Sequence, residues 1–111
     1  MAGTTIKKGT YGFSIDPKLQ VVPDSSTALT SSDTLLYSMY VSNVTGSTVA
    51  LTVLDGQSTP REVVPTTNIG PHQILSAEWL DGLVCPGGVT WSATVADSLQ
   101  AAVTGTKRSA S

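Results

Sequence analysis

The sequence predicts an all-β protein, an antiparallel β-sandwich with jelly-roll-like or immunoglobulin-like topology. Three observations lead to this fold class. Ser and Thr supply 30 of the 111 residues, whereas the long polar residues that favour helices are few. Short segments in which apolar and polar residues alternate recur along the chain. Turn signals separate these segments about every 8–12 residues, a spacing typical of sandwiches and barrels.

Length and composition indicate one globular domain. A chain of 111 residues is close to the commonest domain size, and a hydrophobic content of 40% is sufficient for a packed core. We expect an extended N-terminal arm at residues 1–9, a sandwich at 10–105 and a polar C-terminal tail at 106–111.

The first third of the chain predicts two short strands and a loop. Residues 10–15 alternate and end before Pro17, and residues 19–22 form a second short segment that ends at Pro23. Residues 24–33 are rich in Ser and Thr and predict a loop.

The clearest strand lies at 34–44 and has two distinct faces. One face should hold Leu35, Tyr37, Met39 and Val41, and the other Leu36, Ser38, Tyr40 and Ser42. A turn at 45–47 then leads to a strand at 48–54, and the two strands predict an antiparallel hairpin. Between the sheets, Leu51 and Val53 should pack against Tyr37, Met39 and Trp91.

The second half predicts an edge strand and then four further strands. Residues 61–64 lie between two prolines, which limits them to the edge of a sheet, and residues 66–71 predict a loop. The further strands are expected at 73–80, 83–85, 89–95 and 99–104. The turn signals around them are Asp55-Gly56, Asp81-Gly82, Pro86-Gly87-Gly88 and Ala96-Asp97-Ser98.

The charge pattern argues against nucleic acid as a partner. The net charge is −2, and the six basic residues are too scattered to neutralise a phosphate backbone. Two basic pairs, Lys7-Lys8 and Lys107-Arg108, lie near the ends of the sequence. They serve either solubility or contact with an acidic partner surface.

The cysteine content and the apparent lack of a leader predict folding in a reducing cytoplasm. Cys85 is the single cysteine, and its apolar surroundings predict a buried, inert thiol. Residues 1–9 contain no apolar stretch typical of a signal peptide, and no membrane-spanning run is expected. The Asn43-Val44-Thr45 sequon is then interpreted as a chance match.

The sequence offers no catalytic constellation, metal set or cofactor motif, so we expect no enzyme. His72 is the single histidine, and one His with one Cys does not complete a zinc site. The two Asp-Gly pairs lack the dense acidic spacing of a calcium loop. Trp79 and Trp91 present either a stacking platform for sugars or core packing, and their alternating neighbours favour the core.

A resemblance extends this interpretation from residue 36 to residue 105. Its elements are the strands at 36–43 and 49–56, then Ile69-Gly70-Pro71, Asp81-Gly82-Leu83 and Pro86-Gly87-Gly88-Val89. The order of these segments along the chain resembles that in small β-sandwich proteins from the virions of tailed bacteriophages. The resemblance implies a structural role in capsid decoration, a head fibre, or a neck or tail part, and it implies no active site.

The sequence therefore predicts a non-enzymatic virion protein that decorates or stabilises the phage head. Its partners should be the major capsid protein or another virion protein and further copies of itself, with a trimer the first expectation; no membrane partner is expected. Partner contact is assigned to Ile6, Lys7 and Lys8 in the arm, which should add as a strand to a neighbouring sheet, and to Tyr40. The alternative is a carbohydrate- or receptor-binding module of a fibre or surface filament.

Overall fold

In a computed structural model, residues 12–108 are described, and they form an all-β molecule. Nine strands succeed one another within these described residues. They are β1 (Phe13–Ser14), β2 (Gln20–Val21), β3 (Thr27–Thr30), β4 (Thr34–Asn43), β5 (Val49–Asp55), β6 (Glu62–Ile69), β7 (Ile74–Cys85), β8 (Val89–Ala93) and β9 (Leu99–Lys107).

The strands form two antiparallel sheets, which confirms the predicted sandwich. Sheet A has the order β1-β9-β4-β7, with β2 also paired to β9, and sheet B has the order β3-β8-β5-β6. The pairs β2–β9, β3–β8, β4–β7 and β5–β6 are those of one long antiparallel ribbon whose two arms meet at the β5–β6 turn. Rolling that ribbon adds the pairs β4–β9 and β5–β8, and this arrangement is a jelly roll.

The rolled ribbon shows that the predicted hairpin of residues 34–44 with 48–54 is wrong. β4 lies in sheet A between β9 and β7, whereas β5 lies in sheet B between β8 and β6. The connection at 44–48 therefore crosses from one sheet to the other. Alternation along a strand fixes which face is buried, but it does not identify the neighbouring strand.

The core lies between the two sheets and contains the expected aliphatic side chains of β5. Leu51 and Val53 are fully buried, and they share one apolar cluster with Met39 from sheet A and with Trp91 from β8. Val53 is the direct cross-strand neighbour of Trp91. The predicted packing of these four residues is confirmed.

A β-bulge in β4 overturns part of the predicted two-face pattern. The register of β4 shifts between Leu36 and Ser38 against both neighbouring strands. Leu36 is fully buried, whereas Tyr37, which was expected in the core, is 40% exposed. Because a bulge adds one residue, it reverses the alternation on one side of itself.

The same irregularity explains why the turn expected at Asp81-Gly82 is absent and β7 continues to Cys85. Leu36 lies opposite Leu83, and Ser38 lies opposite Glu78, so residues 79–82 of β7 face the single residue Tyr37. Gly82 has a φ of 86°, in the region that favours glycine. The Asp-Gly pair therefore belongs to a four-residue bulge within one strand.

Three other boundaries differ from the sequence-based expectation. β6 continues through Pro65 to Ile69, so four of the six residues in the loop expected at 66–71 are strand, and β6 is an edge strand as predicted. The missing amide of a proline is tolerated at such an edge. β3 lies within the loop expected at 24–33, and β9 extends to Lys107 because its end pairs with β1 and β4.

Candidate partner-binding surface

The outer face of sheet A is poor in charge and contains several exposed apolar side chains. Its positions follow from the cross-strand register and point away from the core. They are Val21, Leu35, Ser38, Tyr40, Ser42, Ile74, Ser76, Glu78, Val84, Gln100, Ala102 and Thr104. Glu78 is the one charged residue among them. Interfaces are depleted of charge and enriched in tyrosine relative to other surface, so this face has the composition of a contact surface.

Tyr40 lies in the middle of this face, as predicted. Its cross-strand neighbours are Ser76 on β7 and Ala102 on β9, and its side chain is 41% exposed. Small neighbours on both sides leave the ring accessible to a partner. Its placement at the surface is confirmed, and its role in partner contact stays a prediction.

A groove opens beside the bulge, and we call it the Leu80 groove. Five residues from β4 and β7 line it: Tyr37, Ser38, Glu78, Trp79 and Leu80. Leu80 is 96% exposed, the largest exposure of any large hydrophobic side chain in the part of the chain that the structure describes. Trp79 contributes a partly buried wall, since it also packs against the core. The groove thus combines aromatic and aliphatic walls with one carboxylate.

The groove has a local excess of negative charge. Glu78 lines it, and the exposed Asp81 directly follows the lining residue Leu80 in β7. The two ion pairs found among residues 12–108 are Lys18–Asp16 and Arg108–Asp33, so neither neutralises these carboxylates. A cationic partner group at the groove would therefore meet unneutralised carboxylates.

β7 also presents an open sheet edge. Within the described strands it pairs only with β4, and its other edge has no strand beside it. Such an edge exposes backbone N–H and C=O groups that are able to bind an added strand. The groove and this edge belong to the same strand, so one extended peptide is able to use both.

The predicted arm residues Ile6, Lys7 and Lys8 lie outside the described residues. The structure does show where the chain enters the sandwich. Phe13 pairs with Lys107, and Lys107 in turn lies beside Thr34, which pairs with Cys85. The chain therefore enters at the edge of sheet A opposite β7, at the end of the sandwich where β7 finishes.

Cys85 confirms the expectation of a buried thiol. Its side chain has no exposed surface, and it is free rather than bonded to another sulfur. Burial, together with the negative charge of Asp55, raises the pKa of the thiol to about 11. A protonated, inaccessible thiol is a poor nucleophile.

The other residues considered for chemistry do not converge on a site. His72 lies exposed in the turn between β6 and β7 with a φ of 56°, and its backbone N–H donates to the Thr45 carbonyl. Among residues 12–108, no group of three or more His, Cys, Asp or Glu side chains is placed to hold a metal ion. Trp91 is buried in the core as predicted, so it is not available to stack on a sugar.

Asp55 has a structural function at the end of β5. Its carboxylate accepts hydrogen bonds from the backbone N–H groups of Gln57 and Arg61 and from the side-chain amide of Gln57. Burial alone would raise the pKa of this carboxyl, but these hydrogen bonds and the Arg61 charge outweigh burial and lower it below 3.8. The carboxylate thus shapes the β5–β6 turn that the Asp-Gly signal predicted.

Sequence reasoning identified Tyr40 but missed the Leu80 groove. The signal was available in Trp79-Leu80-Asp81-Gly82, where a glycine follows two large apolar residues and a carboxylate within an alternating segment. Glycine inside a strand pattern marks a bulge as well as a turn. The choice between them depends on the partner strand β4, which the local sequence does not specify.

In the described part of the chain, no helix has the length and apolar character needed to span a membrane. Comparisons of the chain with models of protein families, with curated proteins and with solved structures found no match.

Proposed function

We propose that the protein is a non-enzymatic structural component of a bacteriophage virion, and that it decorates and stabilises the head. The exposed, nearly uncharged outer face of sheet A carries this proposal. Tyr40, Ile74 and Val84 each leave more than 40% of their surface in water, as does Leu80 at the edge of this sheet. Depletion of charge together with exposed aromatic and aliphatic side chains is typical of a partner-binding surface.

The jelly-roll topology supports the same proposal. This fold is common in viral capsid domains, where broad sheet faces and edges form contacts between subunits. The fold also occurs in lectins and enzymes, so topology alone does not choose a function. The choice here depends on the surface, which offers a nearly uncharged face and an open sheet edge to another protein.

The localisation experiment follows the chain through a phage lysate. Particles, free heads, free tails and soluble protein are separated on a density gradient, and the chain is detected with an antibody. We expect the chain in the head and virion fractions, at a fixed ratio to the major capsid protein. Its recovery only as soluble protein would overturn the virion assignment, and its recovery with tails would overturn the head assignment.

Two variants test which surface attaches the protein to the particle. Deletion of residues 1–8 and the substitution Tyr40→Ser should each lower particle occupancy at matched concentration, because each removes a proposed contact. Val95→Ser is the matched control, since Val95 is also exposed but lies in the β8–β9 loop, away from sheet A's outer face. Equal occupancy for all three variants would contradict a role for these contacts.

A second candidate function is recognition of a carbohydrate or receptor. One observation favours it: Tyr37 and Trp79 line the same groove with Glu78 and Ser38, and aromatic rings beside polar groups are suited to sugar binding. The test is a glycan-binding assay with the wild-type chain and with Tyr37→Ala. Saturable binding that Tyr37→Ala abolishes would favour recognition over decoration.

A further inference from the structure

We propose that the Leu80 groove is the receptor for the N-terminal arm of a second copy of this chain. In this arrangement, Ile6 enters the groove and Lys7 and Lys8 meet Glu78 and Asp81. The inference rests on the proposed function, in which the arm is the partner-binding segment. It adds the identity of the surface that receives the arm and makes that surface part of the protein itself.

The apolar contact between groove and arm would join one exposed leucine to one isolated isoleucine. Leu80 is almost fully exposed, beside Tyr37 and the partly buried Trp79. Ile6 is the only large aliphatic residue within residues 1–10, so the arm has no apolar partner of its own. Docking covers both side chains and removes apolar surface from water.

The charged part of the match is complementary. Glu78 and Asp81 are the carboxylates of β7, and neither takes part in the ion pairs of the described residues. Lys7 and Lys8 directly follow Ile6 and form one of the two basic pairs in the chain. The other basic pair lies at the end of β9, an inner strand of sheet A, and Arg108 there binds Asp33 at 3.2 Å. The arm is therefore the basic segment that remains for the groove.

The direction of the chain favours a second copy over the arm's own groove. Phe13 lies level with Cys85 at one end of sheet A, and Glu78 lies level with Ser38, near the middle of β4. β1 runs from the end of sheet A that holds Cys85 towards the level of Glu78, so the chain enters β1 on the side away from Glu78. Ile6 lies seven positions before Phe13, a separation that spans about 23 Å when the chain is extended. To enter its own groove, the arm would have to turn back and cross the sheet.

Contacts between arm and groove allow two closed symmetries. β1, which follows the arm, and the groove lie at opposite edges of sheet A, so two copies exchange arms about a two-fold axis or each arm binds the next copy head-to-tail. Head-to-tail contacts close into rings when the rotation between copies is a simple fraction of a turn. A ring agrees with the trimer expected from the sequence, and the open edge of β7 supplies backbone groups for a docked strand.

The test reverses the charges of the arm and of the groove, separately and together. Light scattering on the isolated full chain measures the dissociation constant of the oligomer. Lys7→Glu/Lys8→Glu and Glu78→Lys/Asp81→Lys should each raise the dissociation constant of the oligomer at least tenfold, because each leaves like charges facing one another. Combining the four substitutions should restore association to within a fewfold of wild type. Asp24→Lys/Glu62→Lys is the matched control, since both carboxylates are exposed and lie outside β7.

A second variant removes the apolar contact without touching charge. Leu80→Ser should weaken association at least tenfold and leave the melting temperature of the dilute, dissociated chain unchanged, because Leu80 is exposed in the single copy. Three outcomes would overturn the inference. They are a wild-type chain that stays monomeric at high concentration, a dissociation constant that neither charge-reversal variant changes, and a combined variant that does not restore association.

Mixing distinguishes a second copy from the arm's own groove. When the arm variant and the groove variant are mixed, an affinity tag on one should recover the other, because each then supplies the complement that the other lacks. If the tag recovers only the tagged copy, the exchange between copies is wrong. These measurements use the isolated chain, so an oligomer that obeys the charge exchange but is absent from particles would overturn the virion function alone. This inference alone would be overturned if particles bind all the variants equally well and the dissociation constant of the isolated oligomer is the same in both charge-reversal variants as in wild type.

Discussion

The side-chain amide of Asn43 donates to the backbone carbonyl of Ile69 at 2.9 Å, and this hydrogen bond joins the two sheets. Asn43 ends β4 in sheet A, and Ile69 ends β6 in sheet B. The same amide donates to the carbonyls of Ser47 and Gly70, and its oxygen accepts from the N–H and hydroxyl of Thr45. One buried side chain therefore organises both crossings between the sheets at this end.

This role agrees with the interpretation of the Asn43 sequon as a chance match. Asn43 is buried, and Thr45, the third residue of the sequon, holds its side-chain oxygen. The pattern that resembles a glycosylation acceptor is here a local hydrogen-bonding unit.

Asn43→Ala should destabilise the fold by about 1–3 kcal/mol, because it leaves buried carbonyl groups without their donor. The free energy of unfolding, measured by urea denaturation, checks this value. Asn68→Ala is the control, since Asn68 is exposed on the edge strand β6, and its cost should stay below about 0.5 kcal/mol. Equal midpoints for the two variants would show that the Asn43 network contributes little.

Leu51→Ala should cost about 2–5 kcal/mol through lost burial and the cavity that it leaves. Leu51 is fully buried in the centre of β5, between Val49 and Val53 on the same face. Chemical denaturation compares it with Leu19→Ala, where the leucine is more than half exposed and the expected change is small. An unchanged midpoint for Leu51→Ala would mean that the buried face of β5 is assigned wrongly.

Asp55 should make stability depend on pH below its usual pKa. Because the folded state lowers the pKa of this carboxyl, its stabilising effect is fully present above the unfolded value near 3.8 and is lost as pH falls through the folded value. Unfolding curves between about pH 2 and 6 should show this decline for wild type and for the exposed control Asp24→Asn. In Asp55→Asn the decline should be smaller, and an identical pH profile would contradict the role of Asp55.

Cys85 should resist thiol reagents in the folded protein. The thiol is inaccessible, and its raised pKa of about 11 keeps it protonated at pH 8. We expect labelling by a maleimide or disulfide reagent only at the rate at which the protein opens, and rapid stoichiometric labelling in denaturant. Complete labelling of the native protein within seconds would contradict the placement of Cys85.

Gly82→Ala should destabilise the bulge by about 1–2 kcal/mol, the cost of a left-handed conformation for a residue with a Cβ. An added Cβ would also lie 2.8 Å from Cδ1 of Leu35. Gly46→Ala is a matched control, because no atom lies within 4 Å of a Cβ added there. Thermal melting gives the stability difference, and hydrogen exchange at residues 79–82 reports whether the bulge has moved. Equal melting temperatures for the two variants would show that the bulge tolerates a side chain.

The sequence predicted the class of fold and much of its interior because burial follows local alternation. Val49, Leu51 and Val53 are buried without interruption, as are Val89, Trp91 and Ala93. The register shifts beside these stretches place the extra residues on the partner strands β6 and β3, so every second residue of β5 and β8 stays on one face.

Local alternation did not predict the sheet partners or the Leu80 groove, because both depend on how distant strands pair. The two residues that follow Leu36 both lie on the outer side, and this is a property of how β4 and β7 pair rather than of either segment alone. Alternation assumes a regular register and therefore placed Tyr37 inside. Asp81-Gly82 matched a turn equally well, because a bulge and a turn both require positive φ at glycine.

The pairing of β2 with β9 sets the order in which this protein is able to fold. Gln20 lies opposite Ala101, and β9 separates β2 from β4, so the middle of sheet A is missing until residues 99–107 have been synthesised. Pairings this distant in sequence require large loops to close, which slows folding to about milliseconds to seconds. A nascent chain therefore emerges with β4 lacking its neighbour β9, and sheet A is completed in one late step after synthesis reaches Lys107.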